Sequence, residues 1–141
     1  MSLVFRYKSL PGKTNDKKSP TLQVSLRGRS SFPIEVIALL DTGADVSVIP
    51  LALAELLNLD LNSEILESNG IGGTIKTKRS SMRVEISKNR ESYSIQVPVE
   101  VALEDDPPII LGRNGFFDKF QIIIEENKHH IILKRNNVPI V

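Results

Sequence analysis

From Val36 to Pro50 the chain runs apolar, then acidic, then apolar again, and this order constrains the fold more than any other feature of the sequence. Val36-Ile37-Ala38-Leu39-Leu40 predicts a buried strand, and Val46-Ser47-Val48-Ile49 predicts a second strand that leaves again. Between them a carboxylate, Asp41, enters a tight turn with Thr42 and Gly43. Burying an acid costs free energy unless its neighbours compensate. A chain that carries one at the end of an apolar strand must therefore place it where something meets it. Gly43 lets the backbone turn sharply and approach a ligand closely, and the short hydroxyl of Thr42 can tie the loop to a group opposite. Asp-Thr-Gly is also an ordinary turn composition, so the weight of the tripeptide rests on what surrounds it.

The surroundings predict mostly β structure. Leu22, Val24 and Leu26 alternate with polar residues and lead through Gly28-Arg29-Ser30-Ser31 into the Ile34 to Leu40 strand. Upstream, the polar run from Pro11 to Pro20 predicts a loop after a short N-terminal strand. Pro50 reads as a first helical position, with Leu51, Leu53, Ala54, Leu56 and Leu57 following at helical spacing, which predicts a short helix. Strand signals return from Glu64 on both sides of Asn69-Gly70-Ile71-Gly72-Gly73. Met82, Val84 and Ile86, then Tyr93, Ile95, Val97, Val99 and Val101, alternate about the turn Lys88-Asn89-Arg90 as a long hairpin. Pro98 predicts that the second arm is an edge strand or carries a bulge. Ile109-Ile110-Leu111 ends at Gly112, Arg113 to Lys119 predicts another short helix, and Ile122 to Ile124 with Ile131 to Leu133 predict a last hairpin. Both halves thus read as apolar strand, turn and short helix. The expected architecture is a mostly β, single-domain, closed barrel-like fold with one or two short helices, internally pseudo-symmetric, with Asp41 near the axis.

Composition removes several chemistries. The chain has no Cys, which excludes disulfides, thiolate catalysis and zinc-thiolate sites. Its 141 residues suffice for one core. A net charge of +1 supplies no field to gather nucleic acid, and the basic residues of the N-terminal stretch read as a solvated arm. Arg6 and Lys8 interrupt the N-terminal apolar residues before signal-peptide length, and no later run is long enough to span a membrane, so a cytoplasmic location is expected.

Peptide hydrolysis without a metal or a nucleophilic side chain needs two carboxylates sharing one proton. This chain offers one Asp-Thr-Gly, and its second half carries Leu111-Gly112-Arg113 where a two-lobed enzyme would need the second acid. A twofold homodimer would bring two copies of Asp41 together, whereas a monomer would lack the partner acid.

The run ALLDTGAD at Ala38 to Asp45, GIGGTIK at Gly70 to Lys76 and IILGRN at Ile109 to Asn114 occur in that order and resemble the retroviral-type aspartic proteases, the retropepsins. The resemblance covers approximately Leu22 to Ile124. It implies residues 1–20 as an N-terminal arm, 21–135 as the protease domain and 136–141 as a C-terminal tail. It implies Asp41 as the catalytic aspartate and Thr42 as the hydroxyl that bonds across the dimer axis. Gly43 becomes a carbonyl that receives the substrate backbone. It implies that Asp45 meets the bound peptide and forms a buried pair with Arg113, whose role is structural support. Gly70, Ile71, Gly72 and Gly73 match a flap tip that closes over an extended peptide, with Asn69 beside them in the substrate-binding set. Leu39, Ala44, Val46, Val48, Ile75 and Ile110 complete the substrate-binding set, so apolar residues are expected around the scissile bond. No cofactor and no metal is implied.

The sequence departs from the retroviral pattern at Val46, where a polar residue often sits, and at Asn69, which replaces a flap glycine but tolerates positive φ. The ends depart further. In retroviral enzymes terminal strands interleave at the dimer interface, a part open here to Val138, Ile140 and Val141. Two other readings stand beside the protease: a peptide-binding dimeric scaffold without turnover, and metal-dependent hydrolysis at His129-His130 and Asp105-Asp106. Neither of those pairs has ligand spacing.

Overall fold

The computed structural model describes residues 2–10, 19–30, 32–70, 73–104 and 106–136. Ile71 and Gly72 at the expected flap tip, most of the Pro11 to Pro20 loop, Asp105, Val138, Ile140 and Val141 lie outside the described residues.

The strands are β1 (Ser2–Arg6), β2 (Thr21–Arg27), β3 (Ile34–Leu40), β4 (Ser47–Pro50), β5 (Ile65–Gly70), β6 (Gly73–Lys88), β7 (Glu91–Ala102), β8 (Ile110–Leu111), β9 (Phe120–Glu125) and β10 (His130–Arg135). One α-helix, α1 (Leu51–Leu56), follows β4. The architecture is therefore the mostly β, single-domain one expected. Its larger sheet has the order β2-β3-β8-β4-β7-β6-β5, and β2 also pairs with β6, so the sheet closes on itself as a barrel with β5 hanging from β6. Closure is possible because β6 is sixteen residues long and divides its length among three partners. Its first residues pair with β5, Thr77 to Lys88 with β7, and Arg83 to Glu85 with β2.

The inward residues of these strands make one core. Leu22, Leu26, Ile49, Val84, Val97, Leu111 and Phe116 are fully buried, each contributing about 1.5–3 kcal/mol relative to exposure. A second sheet, β1-β10-β9, joins the two ends of the described chain. Leu3 of β1 and Ile131 and Leu133 of β10 enter the same core. Phe116 packs on Phe120 with ring centroids 5.3 Å apart, which ties β9 to the barrel. Tyr7 closes the other side: its hydroxyl donates to Glu126 at 3.1 Å and its ring stacks on His129 at 5.3 Å.

Three local expectations need correction. Pro50 is the last residue of β4 and the N-cap of α1, with extended ψ of 157°, and is not a first helical position. The helix buries Leu53, with Leu57 at its C-cap also buried, but leaves Leu56 68% exposed. It stops after six residues because Asn58 turns to φ 53°. The run from Arg113 to Lys119 is a series of turns ending in a single 3-10 turn, Phe117–Lys119. Pro98 marks no bulge, since β6 and β7 keep one register from Thr77↔Ala102 to Lys88↔Glu91. The edge reading holds locally: β4 begins to pair with β7 only at Val99, so the missing N–H of Pro98 interrupts no ladder.

Candidate active site

Asp41 leaves the end of β3 at the point where β3 and β8 run side by side in parallel, Leu39 opposite Ile110 and Leu40 opposite Leu111. Its backbone N–H donates to the Leu111 carbonyl at 3.1 Å, and its carbonyl accepts from Ala44 N at 3.2 Å. The half-buried carboxylate accepts from Gly43 N at 2.8 Å through Oδ1. The turn is therefore closed by its own acid and anchored from the opposite half of the chain.

The return limb is braced in the same way. Ala44 O accepts from Arg113 N at 2.9 Å and Asp45 O from Asn114 N at 2.8 Å. The Arg113 guanidinium also donates to the Asp45 carboxylate. That ion pair was expected to be buried; within one chain it is not, with Asp45 85% and Arg113 58% exposed. The backbone bonds, not the exposed pair, hold the limb. Gly112 sits where no side chain fits: a Cβ there would fall 2.6 Å from the Val46 carbonyl and 2.9 Å from Ala44 O. Its N–H donates to the hydroxyl of fully buried Ser47 at 3.1 Å. Ser47 carries no site expectation from the sequence. Its one signal was a hydroxyl at the inward position of an otherwise apolar strand, where an unpaired polar group is costly.

Outward-facing residues define a floor beside this turn. Leu39 opposes Ile110, Ile110 opposes Val48, and all three are partly exposed while Leu40, Leu111 and Ile49 point into the core. The structure thus brings together three of the residues expected to contact substrate. Ala44 and Val46 lie partly exposed on the adjoining limb. Asn69 and Ile75 sit on the β5–β6 hairpin, where Thr74 Oγ1 donates to Asn69 Oδ1 at 3.0 Å and Gly70 opposes Gly73. Ser68 is the register partner of Ile75, and its hydroxyl donates to Glu100 at 3.1 Å. Glu100 in turn opposes Val48, so the hairpin face carrying Ile75 is the one joined to the floor.

Thr42 and Gly43 are exposed, and the Thr42 hydroxyl makes no hydrogen bond among the described residues. A cavity of about 750 Å³ lies between Leu10, Glu35, Ile37 and Pro108, and Asp41 is not among its lining residues. Chemically, one chain presents one copy of the Asp41 carboxylate, hydrogen-bonded within its turn beside an apolar floor, with the loop around it exposed.

The sequence model of the retroviral aspartyl protease family matches residues 16–124. The chain belongs to the retroviral aspartyl protease family. This retropepsin-like chain is 16% identical to a retropepsin-like aspartic protease from Rickettsia conorii, with 94% of this chain and 90% of that one covered at a TM-score of 0.58. That likeness is one of fold. EIAV protease in complex with the inhibitor HBY-793 is 30% identical over 72% of this chain and 88% of its own, with a TM-score of 0.40. The retroviral protease-like domain of Ddi1 from Leishmania major is 18% identical over 84% and 90%, with a TM-score of 0.47. No curated protein sequence matches. The family match ends at Ile124, so β10 and β1, which pair with each other, both lie outside it. Among the described residues no helix is long and apolar enough to cross a membrane.

Proposed function

We propose that this retropepsin-like chain is an aspartic endopeptidase that works as a twofold homodimer. Asp41 of each copy supplies one acid of a pair that shares a single proton, because two like charges in contact cannot both ionise. The ionised member takes a proton from a water as its oxygen attacks the peptide carbonyl carbon. The protonated member gives its hydrogen to the carbonyl oxygen. Collapse of the tetrahedral species breaks the C–N bond, with a proton passing to the leaving amine.

The observation that carries this reading is the contrast at Asp41 itself. The acid is fixed by bonds from both halves of the chain, yet its neighbours Thr42, Gly43 and Asp45 are exposed in a single copy. A second copy would cover those residues, with Thr42 bonding across the axis and the Asp45–Arg113 pair losing its solvent. Leu39, Val48 and Ile110 would receive side chains of an extended substrate, and the hairpin bearing Asn69, Gly70, Ile71, Gly72 and Ile75 would close over it.

The test is incubation of a denatured protein substrate with the wild-type chain and with Asp41→Asn. Wild type is expected to cut it, and the variant to be slower by about 10³-fold or more while folding normally. Equal inertness of both would instead favour the peptide-binding scaffold.

A further inference from the structure

We propose that Glu100 determines specificity in this cleft by selecting a lysine or arginine side chain of the substrate beside the scissile bond. The inference rests on the endopeptidase reading and revises one part of it, the expectation of apolar pockets throughout.

Sheet register carries the argument. Leu39 opposes Ile110, Ile110 opposes Val48, and Val48 opposes Glu100, so one row crosses β3, β8, β4 and β7. Residues directly opposite in a sheet point to the same side. The flanking residues of β7, Val99 and Val101, are 1% and 0% exposed and fill the core, which leaves Glu100 on the open face with the apolar floor. The row is therefore three aliphatic side chains ending in a carboxylate.

The contacts of that carboxylate are polar, and none of them is an ion pair. Ser68 donates to Oε2 at 3.1 Å, and the Ser68 hydroxyl lies 3.4 Å from that of fully buried Thr77. Glu100 forms no ion pair among the described residues; Arg79 opposes it across β6 without reaching it. A half-buried carboxylate whose opposing cation stays in solvent is costly to cover, and closing a peptide over it raises the cost unless the peptide brings a donor of its own. A lysine or arginine does so: its aliphatic stem lies along Ile110 and Val48 while its head reaches Glu100. A leucine in the same place would strip water from the carboxylate and offer nothing in return. In a twofold dimer each copy contributes one Glu100, so the preference appears on both sides of the cut.

Peptides identical except for Lys, Leu or Glu at each position flanking the cut would be tested with wild type, Glu100→Gln and Glu100→Leu. Two quantities are read: kcat/KM, and binding to the same three forms carrying Asp41→Asn by fluorescence anisotropy. Wild type should favour Lys over Leu by about tenfold or more at one position on each side, and reject Glu there. Glu100→Gln, which keeps the shape and the Ser68 bond, should erase most of that preference, and Glu100→Leu should reverse it. Equal use of Lys and Leu by wild type, an order unchanged in both variants, or failure of the Asp41→Asn form to bind any of the peptides would each overturn the role. Hydrolysis without discrimination would leave the endopeptidase standing and remove Glu100. Discrimination in binding without hydrolysis would do the opposite.

Discussion

The turn that carries Asp41 and the hairpin of β5 and β6 both adjoin the apolar floor but are held in different ways. The turn is fastened from across the chain: Leu111 and Gly112 bond to Asp41 and Ser47, and Arg113 and Asn114 bond to Ala44 and Asp45. The outer part of the hairpin is fastened along its own length. Among the described residues β5 pairs only with β6, Ile65 is 58% exposed, and the bonds that join the hairpin sideways lie at its base: Ser68 donates to Glu100, Lys76 O accepts from Leu103 N at 3.0 Å, and Thr77 opens the ladder with Ala102. Acid chemistry requires a group that does not wander, and a lid requires one that opens at small cost. On the proposed reading the same sheet would supply both, bracing the turn with long-range bonds and leaving Asn69, Gly70, Gly73 and Thr74 with local ones.

Three substitutions sharpen or break that contrast. Gly112→Ala drives a methyl into the Val46 and Ala44 backbone and should destabilise the fold by about 1–3 kcal/mol or more in urea titration, with activity lost in step. An unchanged midpoint would mean that the crossing is looser than its geometry says. Ser47→Ala leaves the buried Gly112 N–H without an acceptor and should cost about 1–3 kcal/mol. Residual folded protein should then show reduced kcat, because the Asp41 turn loses part of its support. Asn69→Ala removes only the bond from Thr74 on an exposed hairpin and should move stability by less than about 0.5 kcal/mol. Its effect belongs in KM for peptides, and a loss of stability as large as that of Ser47→Ala would erase the distinction between the two regions.

Much of this plan was legible in the sequence because its signals are local. Alternation along Leu22 to Leu26 and Met82 to Ile86 reports which side of a strand is buried, whereas the apolar runs into Asp41 and at Ile109 to Leu111 report a strand but not its faces: Leu40 and Leu111 are buried while Leu39 and Ile110 are partly exposed. What escaped depends on contacts far apart in the chain. Nothing near Ser2 to Arg6 says that it will pair with His130 to Lys134. The helical spacing after Pro50 could not show that Leu56 faces solvent, since the partner of a short helix decides which stripe is covered. Ser47 and Glu100 were passed over for the same reason. Each is one polar residue in a strand of alternating pattern, and only register shows that the first bonds Gly112 and the second closes a row begun by Leu39. The Asp45–Arg113 pair shows the converse: the partners were legible, but their burial depends on a surface that one chain does not supply.

The central claim is that each catalytic centre takes one Asp41 from each of two copies. Mixing wild type with Asp41→Asn at constant total protein tests it most directly, with peptide hydrolysis followed as the wild-type fraction falls. Exchange of subunits between the two forms predicts activity proportional to the square of that fraction, a quarter of the original rate in an equal mixture. In a mixture unfolded and refolded together so that subunits have exchanged, a rate that falls only in proportion to the fraction would mean that one copy of Asp41 suffices and would contradict the account.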